Sequence, residues 1–158
     1  MEQKRLFVVG VLGEIPKENV PADVVLVPVS QEAGAFVFGI QKRSEDDPER
    51  ALRLALKLTS EDNRIVITEI FVHSGKEKPS LPWNEELAPQ FKLLQPGDIS
   101  ISHPIALLFE RLFLIEHVQV AGTKLHLLRG ERRRPLRVRG LTAAYGKLIG
   151  RQKELDRI

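Results

Sequence analysis

The chain has 158 residues, 42% of them hydrophobic and 28% charged, which is typical of a globular protein with a single core. It contains no cysteine, which excludes disulfides, thiolate zinc sites, iron–sulfur ligation and a cysteine nucleophile. The formal net charge of +3 is unevenly distributed: residues 1–120 hold 13 Lys and Arg against 18 Asp and Glu, whereas residues 121–158 hold 11 against 3.

This charge division suggests a boundary near the end of the chain. We predict an α+β domain over residues 1–130, followed by a basic strand and C-terminal helix over 131–158 that pack on the same domain or on a partner. The first residues lack the pattern of a secretory signal, and no apolar run reaches the roughly 18 residues of a membrane span, so we expect a cytoplasmic protein. The many Arg, Glu and Pro and the few Asn and Met are typical of thermophile proteins.

Three segments rich in β-branched residues open the chain, at residues 5–12, 22–30 and 34–41. The short spacing without intervening helices predicts an antiparallel meander. Pro28 cannot donate a ladder hydrogen bond, so we expect the end of the second strand at a sheet edge or a bulge.

A helix is predicted over residues 44–63. Either Asp46 or Asp47 serves as its N-cap, and Pro48 suits the first turn. The next segment, residues 64–74, is almost continuously apolar, as expected of a central strand.

The middle of the chain combines a long loop and a strongly apolar segment. Residues 75–90 form the loop, and we expect Trp83 to pin it to the body of the protein rather than serve as a ligand platform. Ser102 and Pro104 then predict a helix start. The apolar run 105–115 indicates that this helix is buried or covered by another subunit.

Alternating residues after this helix predict a β-hairpin. Its strands are residues 116–120 and 124–128, joined by a turn that contains Gly122. His117 and His126 then face each other across the hairpin.

The last residues continue the alternation and then change period. Residues 135–140 are predicted to form a strand, and residues 141–158 a closing helix with apolar positions seven apart. The fold class that follows is α+β, with a single mixed, mostly antiparallel sheet of about six strands and two or three helices, the last of them C-terminal.

Catalytic motifs are weak throughout. The sequence has no phosphate-binding loop, no dinucleotide fingerprint and no nucleophile elbow, and its histidines lack the spacing of a zinc site. We therefore predict no catalytic residue, no metal site and no cofactor. The run containing Asp98 and Glu110 faintly resembles the acidic motif of structure-specific nucleases, but Leu112 stands where that motif has lysine.

An arginine cluster is the most distinctive feature, with six arginines between residues 128 and 140. The planar guanidinium group binds phosphate through two hydrogen bonds. Clustered cations also bind nucleic acid more strongly, because each neutralised phosphate releases counterions. We therefore predict a non-catalytic protein that binds the backbone of DNA or RNA. The predicted contact residues are Lys124, Arg129, Arg132, Arg133, Arg134, Arg137 and Arg139.

Two alternatives remain open at this point. The apolar segment 105–115 and the closing helix favour an oligomeric scaffold or structural subunit, and a homo-oligomer is also compatible with nucleic-acid binding. The second alternative is a divergent metal-dependent nuclease that uses Asp98 and Glu110. No membrane partner is expected.

Overall fold

The computed structural model describes residues 3–16, 20–40, 44–73 and 83–132. Within these residues, the protein is α+β, with one mixed sheet of seven strands, so the predicted class is confirmed with one strand more than expected. The strands are β1 (Gln3–Gly13), β2 (Val25–Ser30), β3 (Ala33–Phe38), β4 (Asn63–His73), β5 (Ile99–Ile101), β6 (Phe113–Val120) and β7 (Thr123–Glu131). The helices are α1 (Asp47–Leu58), a π-helical turn (Trp83–Leu87) that continues as α2 (Ala88–Phe91), and α3 (His103–Phe109).

The strands lie in the order β2-β3-β1-β4-β5-β7-β6. All neighbouring strands are antiparallel except β4 and β5, which are parallel. The expected opening meander is wrong in its order, because β3 pairs with both β1 and β2 and so separates them. The edge position of β2, with its register shift between Pro28 and Ser30, confirms the interpretation of that proline.

β1 lies near the centre of the sheet and pairs with β4 along all 11 of its residues. Because side chains alternate along a strand, its apolar residues enter two cores. Val9 and Val11 lie in the core that α1 and α3 cover, while Leu6 and Val8 lie in the core of the opposite face, together with Phe91 of α2. The sheet is therefore covered on both faces.

The amino end of α1 is held by charged groups. Asp46 stands at the N-cap position without a capping hydrogen bond from its side chain. Asp47 is buried and accepts hydrogen bonds from the Ser44 amide and the Arg50 guanidinium. Arg50 also binds Asp23 at 2.6 Å, which ties the helix to the segment before β2.

The apolar segment 105–115 is divided between two elements. α3 ends at Phe109, and Phe113 begins β6, where pairing with β7 replaces the helix that the apolar run predicted. Helix burial is also one-sided: Leu107 and Leu108 are 59% and 63% exposed. The segment therefore contributes Ile105 and Ala106 to the core from the helix and Phe113 from the strand, and Glu110 and Arg111 lie in the turn between them.

The predicted strand 135–140 and closing helix 141–158 lie outside the described residues. The predicted division of the chain after residue 130 therefore stays a prediction. None of the helices in the described ranges has the length and apolar character needed to cross a membrane.

Candidate functional site

A cavity of about 730 Å³ lies where β1 ends beside the β2–β3 hairpin. Three segments wall it: the residues that follow β1, the hairpin itself and the turn before β4. The lining residues are Gly13, Glu14, Ile15, Leu26, Pro28, Ser30, Gln31, Glu32, Ala33 and Asp62. Its volume falls within the range of small-molecule sites, about 300–1,000 Å³.

Gly13 joins the three walls through its backbone. Its amide donates to the Glu32 carbonyl at 2.6 Å, and the next amide, that of Glu14, donates to the Asp62 carbonyl at 3.1 Å. Gly13 has a φ of +115°, and a Cβ atom there would stand 2.3 Å from the Asp62 carbonyl oxygen. Only glycine permits this close approach, so the end of β1 is fixed between the hairpin and the turn before β4.

Asn63 holds the same part of the backbone through side-chain hydrogen bonds. It is only 2% exposed, and its side-chain amide donates to the carbonyls of Glu14 at 3.0 Å and Leu58 at 2.8 Å. Its side-chain oxygen accepts from the Ser60 amide at 3.0 Å. This one side chain therefore links the C-terminal end of α1 to the backbone of a residue that lines the cavity.

The cavity carries three exposed carboxylates, those of Glu14, Glu32 and Asp62. None of the lining residues that the structure describes is Lys or Arg. Ile15 and Leu26 add an apolar wall that packs against the core on the α1 side of the sheet. An anionic ligand would therefore enter this cavity together with a cation.

The carboxylates alone do not form a metal cage. Within the described ranges, no group of three or more His, Asp or Glu side chains is arranged to hold a metal ion. Carboxylate oxygens nevertheless suit Mg²⁺, which proteins commonly bind through one or two carboxylates and the phosphates of a ligand. The donor chemistry thus fits Mg²⁺ when the ligand supplies the remaining oxygens.

The structure describes three of the seven predicted basic site residues. Arg129 lies on β7, where its guanidinium group donates to Glu116 at 2.8 Å and to Asp98 at 3.1 Å. Asp98, one of the two carboxylates considered for a nuclease, is therefore bound to an arginine. The positive charge of Arg129 is balanced within the fold.

The other two described basic residues differ in their surroundings. Arg132 donates through Nε to the Glu110 carbonyl at 3.0 Å, so it fastens the end of β7 to the turn after α3. Lys124 is exposed near the β6–β7 turn. The remaining predicted residues lie outside the described part of the chain: Arg133, Arg134, Arg137 and Arg139.

Three histidines meet on the same side of the sheet. His117 Nδ1 lies 2.7 Å from His126 Nδ1, which confirms that these two residues face each other across the hairpin. His103, at the start of α3, approaches the other ring nitrogen of His126 at 3.2 Å. Burial, followed by the charges of His117, His103 and Lys124, lowers the pKa of His126. His126 uses Nε2 toward His103 and Nδ1 toward His117. The nitrogens of the three rings therefore do not point at one position, as the ligands of a metal ion would.

No protein-family model matches the chain, and no curated protein matches it significantly. Its fold is similar to solved cyclase domains. One is the guanylate cyclase domain of RhGC from Catenaria anguillulae in complex with GTP, with a TM-score of 0.57 and 14% identity over 84% of this chain and 100% of that one. Another is the catalytic core of a rhodopsin-guanylyl cyclase with converted specificity in complex with ATPalphaS, with a TM-score of 0.56 and 13% identity over 84% and 100%. The guanylyl cyclase Cya2 gives 0.53 and 13% over 84% and 95%.

This likeness concerns the fold, and it overturns the functional prediction. The prediction of a non-catalytic nucleic-acid-binding protein is wrong, because the similar structures are nucleotide cyclase domains and not nucleic-acid-binding proteins. The oligomeric scaffold and the divergent nuclease, which were the alternatives, do not match these neighbours either. A homo-oligomer remains compatible with them and stays a prediction.

Sequence reasoning missed the cavity. Two features of the sequence marked the cavity. One is Gly13 followed by Glu14, where the apolar strand β1 ends, and the other is Glu32 in the β2–β3 hairpin turn. Both signals are short, and Glu14 and Glu32, which are 18 positions apart in the sequence, line one cavity only because β3 pairs with β1.

Proposed function

We propose that this domain binds a nucleoside triphosphate together with Mg²⁺ in the cavity at the end of β1. The observation that carries the proposal is a cavity lined by carboxylates, with no Lys or Arg among the lining residues that the structure describes, in a fold similar to domains solved with GTP and with ATPalphaS. Fold alone does not specify function, so the argument depends on the chemistry of the cavity.

The charges of the site require the metal. A triphosphate alone would be repelled by Glu14, Glu32 and Asp62, and among the described lining residues no Lys or Arg offsets this repulsion. Mg²⁺ bound together with the triphosphate would offset this repulsion. Glu14 and Glu32, which line the cavity, would hold the metal through their carboxylate oxygens.

The rest of the cavity suits the nucleoside. Ile15, Leu26 and Pro28 offer apolar surface to a base, and Ser30 and Gln31 of the hairpin offer hydrogen-bonding groups to a sugar or base edge. Asn63 and Gly13 act as positioning residues, because they fix the backbone that carries Glu14.

Calorimetric titration with GTP and with ATP, each with and without Mg²⁺, tests the proposal. We expect saturable binding that requires Mg²⁺ and that Glu14→Gln and Glu32→Gln each weaken by about tenfold, as for loss of a charge-assisted contact. Glu61→Gln is the matched control, since it removes one exposed carboxylate next to the site but outside the cavity lining. No binding at about 1 mM nucleotide, or binding that is insensitive to Mg²⁺ or to both substitutions, would show the proposal to be wrong.

A cytoplasmic location is part of the same proposal. It would give the cavity access to nucleoside triphosphates, and it agrees with the sequence-based expectation. Fractionation of cells that produce the protein tests this location, and enrichment in a membrane or secreted fraction would contradict it.

A further inference from the structure

A second cavity, of about 350 Å³, lies on the opposite face of the sheet from the carboxylate cavity. Its lining residues are Leu12, Arg64, Trp83, Ala88, Phe91 and Lys92. Leu12, Trp83 and Phe91 belong to the core of that face, so the cavity opens from packed apolar residues toward solvent. Its volume is at the small end of the range for ligand sites, which suits a compound with a single ring.

Two aromatic rings form one wall. The centroids of Trp83 and Phe91 are 5.2 Å apart, with the ring planes tilted by 32°. Both rings lie directly over Gly10 of β1: a Cβ there would stand 3.4 Å from Trp83 Cζ3 and 3.5 Å from Phe91 Cζ. Trp83 therefore pins this segment to the sheet, as predicted, but residues 83–90 are helical and not part of the loop predicted over residues 75–90. The same ring also borders the cavity.

Two cations stand at the same cavity. Arg64 uses its Nε to bind the Leu94 carbonyl at 2.9 Å, which holds the guanidinium group in place, and Lys92 is exposed. Neither makes an ion pair with any carboxylate in the described part of the chain. By contrast, Arg50, Arg53 and Arg129 each bind two carboxylates.

We propose that this cavity binds a small planar aromatic anion, in which a ring packs on Trp83 and Phe91 while a carboxylate or phosphate group pairs with Arg64 and Lys92. Aromatic faces give a flat ligand contact area, and guanidinium groups bind both types of anion through two hydrogen bonds. The site is separate from the proposed nucleotide cavity, since the two lie on different faces of the sheet and share no lining residue.

The single tryptophan of the chain gives a direct measurement. The Trp83 indole N–H produces one resonance in a ¹H–¹⁵N spectrum, which can be followed during titration of the full chain with benzoate or phenyl phosphate. We expect a saturable shift with both probes, and comparison of the two identifies the preferred anionic group. Acetate, which lacks a ring, and benzyl alcohol, which lacks a charge, should give no saturable shift.

Substitutions separate specific binding from nonspecific contact with tryptophan. Lys92→Gln should weaken binding of the aromatic anions by about threefold, and Arg64→Gln should weaken it more because the guanidinium group is fixed. Lys57→Gln, an exposed lysine on α1, is the matched control and should leave binding unchanged. Lys92 is on the surface, so its replacement keeps the test valid even if Arg64→Gln unfolds the protein.

The proposal is overturned if benzoate and phenyl phosphate produce no saturable shift up to about 10 mM, or if Lys92→Gln binds them as the unchanged protein does. An equal shift with benzyl alcohol would also overturn it, because binding would then need no anion. None of these outcomes bears on the Mg²⁺-dependent titration of the other cavity, so the two proposals fail independently.

Discussion

Two regions of the sheet differ in how their charged side chains are paired. Near β7, Arg129 is held between Asp98 and Glu116, so a residue that looked like part of a free basic surface is balanced within the fold. At the end of β1, Glu14 and Glu32 make no ion pair with any residue that the structure describes. A cation within a sequence cluster of like charges can thus be balanced by pairing across strands, as Arg129 is. The pairing of each charged side chain in the fold therefore decides whether its charge is left for a ligand.

The largest expected effect comes from the glycine that shapes the β1 end. Gly13→Ala places a Cβ 2.3 Å from the Asp62 carbonyl oxygen at a φ of +115°, so it should lower the free energy of unfolding by about 2 kcal/mol or more. Urea denaturation measures this loss.

The control for this substitution lies at the other end of the sheet. Gly122 also has a positive φ, +81°, but its added Cβ would meet nothing within 4 Å. Gly122→Ala should therefore cost only about 1 kcal/mol, the backbone contribution alone. Equal losses at the two glycines would show that the close approach at the cavity does not matter.

The next effect concerns the side-chain amide of Asn63, which holds the backbone of the lining residue Glu14. Asn63→Ala leaves the carbonyls of Glu14 and Leu58 without their donor, so the free energy of unfolding should fall by about 1–3 kcal/mol. Nucleotide binding should weaken as well, because the backbone of Glu14 loses its support. Thermal unfolding and titration on the same sample separate these effects: a stable variant with unchanged affinity would contradict the positioning role.

A smaller effect is expected where charge is already balanced. Arg129→Gln breaks two pairs in which the arginine is 43% exposed, and exposed pairs contribute little, so we expect a loss of about 0.5–1 kcal/mol that shrinks in high salt. A double-mutant cycle with Glu116→Gln measures the coupling energy between the two side chains. Zero coupling energy at low salt would mean that the ion pair does not neutralise Arg129 in solution.

The smallest effect is a pH dependence at the histidines. Burial comes first among the causes that lower the pKa of His126, followed by the charges of His117, His103 and Lys124. The folded state therefore binds a proton at His126 less readily than the unfolded chain, whose histidine pKa is about 6.5. The free energy of unfolding should be highest above that pH and should decrease as the pH falls through about 6.5 toward the lower pKa of the folded state.

His126→Gln tests this dependence, because the variant keeps a polar side chain but cannot be protonated in this range. Urea titrations between pH 5 and pH 8 should show a flatter pH profile for the variant than for the unchanged protein. Identical profiles would assign the pH dependence to other groups.

Much of the fold was predictable because local patterns agree with the tertiary structure. The helix around Pro48, the central strand before His73 and the hairpin at Gly122 follow from periodicity and turn chemistry. The order of β1, β2 and β3 was not predictable, since short connections alone favour a meander. Phe113 was predicted to be helical because an apolar run shows neither helical nor strand periodicity. Its pairing with β7 makes it part of a strand, and this pairing is visible only in the structure.

The candidate sites were harder to predict, for a different physical reason. The sites are formed by residues far apart in the chain, such as Gly10 and Trp83, or Glu14 and Asp62. Sequence spacing identifies a site only when one short segment supplies most of its groups, as a phosphate loop does. The arginine cluster was conspicuous in sequence because it is local, whereas the cavities are assembled by the sheet.

The central position of β1 has a consequence for biosynthesis. β1 is synthesised before both of its partners, and β4 ends only at His73, so the apolar stretch Leu6–Val9 is paired on both edges only after β4 has emerged from the ribosome. Strand pairings that span so many residues form slowly, and an unpaired apolar strand is prone to aggregation in the meantime. The nascent chain is therefore expected to be most vulnerable before the segment that follows α1 has emerged.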